Sequence, residues 1–272
     1  AVPCPEPTRR SPRWPRTRGC TRGSSPATCG GRRCSSSGCV GSTGFPIRGS
    51  GRSGITTPTA PSGAAAALRA AAPDAVLLPK VSDPATLGAA RDALGDGPAL
   101  WAMIETARAI VDLPAIATAA PATGLTAFVT GTNDLAKELR CRPGSGRAPL
   151  LPALAQIVLV ARMAGLIVLD GVSNVLDDPD AIAAECRQGL DWGFDGKTLI
   201  HPSQIAPANT VFSPTGDEVA WAAAIVAAFD DPANAGKGAI RLEGKMVERL
   251  HLEEANRILA IDAAIRVRQS RQ

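Results

Sequence analysis

From residue 74 onward, short and continuously apolar runs alternate with longer segments of helical spacing. Asp74–Lys80 reads DAVLLPK, an apolar run with a polar tip. Ala99–Glu105 (ALWAMIE), Leu125–Gly131, Leu166–Asp170 (LIVLD) and Gly196–His201 repeat the form, and each predicts a strand. Between them the spacing predicts helices over about 84–94, 107–119, from 135, 150–164 and 179–189. The segment 150–164 is apolar on every side, which predicts a buried helix. Strands that are apolar throughout and alternate with helices indicate parallel β-structure covered on both faces. The tail differs. It predicts an Ala-rich helix over 216–230, a glycine-punctuated stretch over 236–246 and a charged amphipathic helix over 247–265.

In parallel α/β folds, functional groups gather at the C-terminal ends of the strands. Here Lys80, Glu105, Asp134, Asp170 and His201 stand at or just past the ends of the five strands. A titratable residue at every one of them points to a site on that rim.

The first quarter has neither period. Residues 1–63 consist largely of Arg, Pro, Gly, Ser, Thr and Cys, with Val40, Phe45, Ile47 and Ile55 too isolated to build a core. Residues 1–73 hold eleven Arg, no Lys and one acid, Glu6, a net charge of +10. Residues 74–272 hold eighteen basic and twenty-four acidic residues, a net of −6. As written, the first quarter reads as a disordered basic arm. Nucleic-acid binding is disfavoured, because the arginines are scattered among Pro and Gly with Trp14 the one large aromatic among them and Phe45 standing apart. Cys29, Cys34 and Cys39 lack the tight pairs and the His of a zinc site. A transit peptide would be amphipathic, and this segment is not. A fourth reading is a shifted frame. The chain has 24 Arg against five Lys and an Ala-rich body, the mark of GC-rich codons, and such DNA read out of frame yields this composition.

The chain has no apolar run of the roughly 18 residues a membrane span needs. Its first residues, AVPCPEPTRR, have no apolar core of a secretory signal. A cytoplasmic location without membrane or nucleic-acid partners is therefore expected. Cys141 and Cys186 have no partner motif and are expected to be inert thiols in a reducing compartment. The expected organisation is a basic irregular segment over 1–73, an α/β body over 74–212 and a helical extension over 213–272.

Six segments, in order, carry a resemblance: VLLPK (76–80), MIET (103–106), GTNDLAKEL (131–139), LDGV (169–172), FDGKTLIHPSQI (194–205) and GKMVERLHLEEA (244–255). Together they resemble the HpcH/HpaI aldolase and citrate lyase β-subunit family, specifically its CoA-ester lyases. The resemblance implies a (β/α)8 TIM-type barrel whose strands four to eight are the five found here. It also implies a C-terminal extension that covers a neighbouring subunit's site, hence a homo-oligomer, trimer or hexamer. The first three strands would occupy residues 1–73. There the family has an apolar-Pro-Gly turn, an Asp-Leu-Glu-Asp-like motif and an Arg-x-Asn motif, and none is present as written. Five of eight strands leave two open edges and part of the interior unfilled, so the chain is expected to be unstable or to aggregate.

The resemblance assigns chemistry to the rim. Glu105 and Asp134 match the family's metal ligands, and two carboxylates completed by water and substrate oxygens suit Mg²⁺. Taken singly, either could instead cap the helix that follows it. The implied reaction is Claisen-type cleavage of a 3-hydroxyacyl-CoA, such as malyl-CoA, into an acetyl-CoA-type thioester and a 2-oxo acid such as glyoxylate. A malyl-CoA thioesterase and a citrate lyase β-subunit share the fold and the metal. A different class is an inactive truncated barrel with a basic anion-binding arm. Lys80 would line the rim and stabilise anionic substrate, or stand solvated at its strand end. Asp170, Gly171 and Asn174 match the turn near the CoA arm, where Gly171 could simply permit a tight turn. Lys197 could contact a CoA phosphate or be an ordinary surface lysine. His201 is expected to shape its loop rather than transfer protons. Glu248 falls where relatives carry an Asp delivered into the adjacent subunit's site, or it is a helix N-terminal acid favoured by the dipole. The strand-three Arg has no counterpart: Arg48 lies in the right region, but Arg48-Gly-Ser lacks the motif.

A one-base shift lets Val40–Gly44 encode Arg-Val-Asn-Gly and Ser53–Thr59 encode Trp-His-His-Asp-Ala-Asp, both like segments at and after the family's third strand. Sequencing the coding DNA is expected to show those codons in the shifted frame. A clean read whose other frames contain no family-like strands overturns the shifted-frame reading.

Overall fold

A computed structural model describes residues 53–55, 62–144 and 146–270. Six parallel strands form one sheet in sequence order: β1 (Ser53–Ile55), β2 (Ala75–Leu78), β3 (Ala99–Ile104), β4 (Leu125–Thr130), β5 (Ile167–Asp170) and β6 (Gly196–Lys197). Each strand pairs with the next in the chain, and helices fill the connections. This is the repeating unit of a TIM-type barrel, seen as an arc.

The strands' alternation divides the core into two layers. Val76, Leu78, Leu100, Ile104, Phe128 and Val168 face the helices and pack with Leu154, Ile157 and Ile182. Leu77, Val129 and Leu169 face the other way, toward the interior of the arc, with Trp101 and Met103 beside them.

Local chemistry starts the helices where the sequence places them. In α2 (Pro84–Leu94), Asp83 accepts a hydrogen bond from Thr86 N at 2.8 Å and Pro84 fills the first turn. Asp178 does the same for α8 (Pro179–Asp191), accepting from Ala181 N at 3.0 Å. The helix α7 (Leu151–Met163) buries one face through Leu154, Ile157, Val160 and Ala161, but Leu159 and Met163 are exposed, so the helix is not buried on every side as its uniform apolarity predicts.

Five further expectations need correction. The strand expected over 196–201 is only Gly196–Lys197, so His201 stands four residues past its end. The helix expected over 107–119 is three short ones, α3 (Ala107–Val111), α4 (Leu113–Thr118) and α5 (Ala120–Thr123). Pro114 and Pro121 fall in the first turns of the latter two, where a missing N–H is harmless. In the middle of one long helix each would break it. Next, α6 spans Thr132–Leu139 and so begins before Asp134 rather than after it. The glycine-punctuated stretch is an antiparallel hairpin, β7 (Ala239–Leu242) and β8 (Lys245–Glu248). Its two-residue turn, Glu243-Gly244, has positive φ at both positions (48° and 80°), as a type I′ turn requires. Lastly, regular structure begins upstream of residue 74, with β1 and the helix α1 (Ser62–Ala71). Leu68 of α1 packs against the main core. The rest of the basic first quarter, including Arg48, lies outside the described residues.

Beyond β6 come α9 (Ile205–Phe212), α10 (Gly216–Asp230), the hairpin and α11 (Arg249–Gln269). The tail elements have a small core of their own, with Ala222, Ile225, Ile240, Val247 and Ala255 at its centre. The Lys245 ammonium sits 4.8 Å from the centre of the Trp221 ring, a cation–π contact that ties the hairpin to α10.

Among the described residues, nothing pairs with the outer edge of β1 or of β6. Unpaired parallel edges are templates for association. The chain is expected to self-associate as its concentration rises and to melt without a sharp transition. A cooperative melt of a monodisperse species in light scattering contradicts this.

Candidate active site

Three strand ends converge on one carboxylate. Glu105 follows β3 directly and is 4% exposed. Its Oε1 accepts a hydrogen bond from the backbone N–H of Lys80 at 2.8 Å. Lys80 follows Pro79 past the end of β2 in a left-handed conformation, φ 53°, a strained geometry for a non-glycine residue. The third contributor is Gly131, just past β4. A Cβ there would lie 2.4 Å from Glu105 Cβ and 2.6 Å from Oε2. Only glycine lets the strand pass so close.

Asp134 reaches the same place from the first turn of α6. Its Oδ1 is 3.6 Å from Lys80 Nζ, and both side chains are about half exposed, so the pair adds little stability. Lys80 thus meets both acids, Glu105 through its backbone and Asp134 through its side chain. A cavity of about 370 Å³ opens here, lined by Lys80, Glu105, Thr106 and Asp134, with Lys137, Glu138 and Arg140 along α6.

Neither acid is the helix N-cap that it might be on its own. Thr106 caps α3, accepting from Ala109 N at 3.0 Å, and Gly131 occupies the cap position of α6. Burial pushes the Glu105 carboxyl above its ordinary range. The Lys80 N–H opposes that shift, and the Asp134 charge adds to it. Removing water from a carboxylate costs free energy unless a cation or proton joins it. Among the described residues no three His, Cys, Asp or Glu side chains converge. The donor set is therefore two carboxylates beside open space. That fits a hard cation which keeps several water or substrate oxygens, as Mg²⁺ does.

Asp170 and Lys197, expected at the substrate or CoA, are elsewhere. Both side chains are fully buried. Asp170 shares the helix-facing side of β5 with Val168, and Lys197 is its register partner on β6. Lys197 Nζ lies 3.1 Å from Asp170 Oδ2 and 2.6 Å from Glu185 Oε1, on α8. Arg147 completes the cluster, donating to both Asp170 oxygens at 2.8 Å and to Gln188 Oε1 at 2.8 Å. These charges satisfy one another behind the sheet, away from any phosphate in solvent. Arg147 and Glu185 were not singled out from the sequence. Each is one charge in a loop or on a helix, and only the fold shows that they meet. Cys186 is buried beside them, and burial pushes its thiol up, in keeping with an inert residue. Cys141 is half-buried.

The remaining candidates divide. Gly171 has no positive φ, so a tight turn is not its reason. A Cβ at Gly171 would lie 2.5 Å from Thr132 Oγ1 and 3.0 Å from Thr130 O, so close approach is the reason. Asn174 is exposed and hydrogen-bonds Asn133. His201 shapes its loop: Nδ1 accepts from Ser203 N at 3.2 Å and caps the turn 202–204. Glu248 is the N-cap residue of α11, and its N–H donates to His251 Nδ1 at 2.9 Å. It does not line the cavity described above.

With this arrangement in view, the comparisons are specific. The HpcH/HpaI aldolase/citrate lyase family model matches residues 58–202. The chain belongs to that family. It is 45% identical over 192 residues to a (3S)-malyl-CoA thioesterase of Cereibacter sphaeroides, covering 71% of this chain and 66% of that relative. It is 34% identical over 170 residues to a citrate lyase subunit beta-like protein of Deinococcus radiodurans, covering 62% of this chain and 55% of that one. A crystal structure of Mycobacterium tuberculosis CitE, in complex with magnesium, acetoacetate and coenzyme A, aligns with a TM-score of 0.59. Its sequence identity is 28%, over 77% of either chain. The chain thus spans about two thirds or less of the curated relatives it matches. The family match starts at residue 58, downstream of most of the basic segment.

Removing one member of a buried ion group leaves its partners charged and unpaired, at a cost of about 3–5 kcal/mol. Lys197→Met and Arg147→Met are each expected to speed amide hydrogen exchange in β5 by about 100-fold or more, the equivalent of that cost. Lys137→Met, on an exposed face, is expected to move stability by less than about 0.5 kcal/mol.

Proposed function

We propose that the chain is a Mg²⁺-dependent CoA-ester lyase. It would cleave or form a 3-hydroxyacyl-CoA, such as malyl-CoA, from an acetyl-CoA-type thioester and a 2-oxo acid such as glyoxylate. One observation carries the reading: a buried carboxylate, Glu105, and a half-exposed one, Asp134, share a cavity at the C-terminal ends of adjacent strands in a chain of this family. The CitE structure, with magnesium, acetoacetate and coenzyme A together, supports the same combination of ligands.

In this reading Glu105 and Asp134 hold the cation. When bound, it supplies a Lewis acid that stabilises negative charge on a substrate carbonyl oxygen. Lys80 has two tasks. Its N–H fixes the orientation of Glu105, and its ammonium faces the cavity where an anionic 2-oxo acid would sit. Gly131 lets the end of β4 pass close against Glu105. Glu248 would act in a neighbouring subunit of a homo-oligomer, delivered at the start of α11. A strand-three Arg would normally stabilise the developing negative charge, and the Arg-x-Asn motif is absent from the sequence. A lost donor of that kind costs about 10²–10³ in rate, so turnover is expected to be low. No helix among the described residues is long and apolar enough to cross a membrane.

The second reading is malyl-CoA thioesterase, favoured by the 45% identity to a protein of that name. Products separate the two. (3S)-Malyl-CoA with Mg²⁺ yields acetyl-CoA and glyoxylate from a lyase, but malate and free CoA from a thioesterase. The lyase reading expects malyl-CoA from acetyl-CoA, glyoxylate and Mg²⁺. It also expects Glu105→Gln to lower kcat/KM by about 10²–10³. Salt-sensitive DNA binding with no turnover of any CoA ester would instead indicate an inactive barrel with a basic arm.

A further inference from the structure

The loop leaving β5, residues 171–175, has no regular secondary structure, yet buried donors hold its backbone from behind. Lys197 Nζ donates to Gly171 O at 2.5 Å. The amide of Gln204, fully buried, donates to Ser173 O at 2.9 Å and to Val175 O at 2.8 Å. Ser173 Oγ hydrogen-bonds Glu185 at 3.1 Å, which joins the loop to the buried charge cluster a second time. Three alternate carbonyls of a five-residue loop thus meet side chains that are themselves packed in place. Such a loop has little freedom to move.

In front, the same loop meets the start of α6. Gly171 is pressed against Thr132, as its missing Cβ shows. Asn174 and Asn133 exchange amide hydrogen bonds, at 3.1 Å in one direction and 2.9 Å in the other. Each amide donates once and accepts once across the pair, a closed two-bond ring between exposed side chains whose remaining N–H and lone pair face solvent. Asn133 is the residue before Asp134. The helix needs this help. Its N-cap, Gly131, has no side chain, and no side-chain cap bond closes the first turn. A helix start without a cap is prone to fray.

We infer that Asn174 and Asn133 form a positioning clasp. It transfers the rigidity of the buried Asp170–Lys197 cluster to the first turn of α6 and so fixes Asp134 for cation binding. The inference rests on the metal reading above. Asn174 is a positioning residue: it acts through Asn133 and Asp134. The clasp also gives the buried cluster, which lies too deep to touch substrate, a connection to the site. Asp134 itself is half exposed, and among the described residues its carboxylate is held by a 3.6 Å pairing with Lys80. Its placement therefore depends on the backbone of α6.

The test uses the full chain with Asn174→Ala, Asn133→Ala and the double variant. Two quantities are measured without turnover. One is amide hydrogen exchange over residues 131–136, with β3 and β4 as internal controls. The other is Mn²⁺ affinity by electron paramagnetic resonance. Each single variant is expected to speed exchange over 131–136 by about tenfold and leave the control strands unchanged. Each is expected to weaken Mn²⁺ binding by about tenfold. The double variant is expected to match the singles, because two residues acting as one unit are not additive. Unchanged exchange over 131–136, additive effects, or a rise spread equally over the control strands would each overturn the clasp. If the unsubstituted chain binds no Mn²⁺, the metal reading falls, while exchange still decides the clasp.

Discussion

The hydrogen bond from the Lys80 backbone to the Glu105 carboxylate governs the geometry of the rim. It joins the end of β2 to the end of β3, and Gly131 closes the arrangement from β4. Three consecutive strands must be in register for a buried acid to be met by one N–H and spared a clash with a third backbone. The parallel ladder provides that register, because its strands run in sequence order with the same polarity. The costs of the arrangement are local. Lys80 takes a left-handed conformation, and Glu105 gives up most of its water. A site that binds a cation recovers the second cost, since the cation supplies the charge that water no longer screens.

Charge is managed differently on the two faces of the sheet. Toward the interior, Glu105 and Asp134 face a cavity with Lys80 as their nearest cation. Behind the sheet, Asp170 and Glu185 are met by Lys197 and Arg147 at direct hydrogen-bond distances. The first group is left unbalanced toward solvent, and the second is closed. Strand periodicity separates the acid that each strand brings: Glu105 lies one residue past the helix-facing Ile104, whereas Asp170 shares the face of Val168.

The sequence disclosed the strands and the rim because both depend on local pattern. Apolar runs of four to six residues that stop one to four residues before Lys80, Glu105 and Asp134 need no knowledge of distant partners. Lys197 shows the limit. Its strand is two residues long, and nothing adjacent to it reveals that Asp170, Glu185 and Arg147 wait behind it. Composition could not assign a face to it, so the bland reading of a surface lysine and the functional reading of a phosphate contact both missed its burial. The hairpin at β7–β8 was hidden for another reason. Glu243-Gly244 is a weaker turn signal than Asn-Gly, and the strands on either side carry charges that resemble a helix's polar face. The first quarter offered neither period nor motif, and β1 could be recognised only from its pairing with β2.

The shortness of β6 bears on how the far end of the arc is held. A two-residue strand brings few ladder bonds, so side-chain charge must hold it against β5. Those charges come from a loop, a strand, a helix and β6 itself, spread over the fifty residues from Arg147 to Lys197. Burying one member without a counterpart would leave an unpaired ion, at a cost that disfavours such partial structures. The far end of the sheet therefore closes as its ion pairs form, Arg147 with Asp170 and Lys197 with Glu185, and it is held by charge as much as by β-pairing.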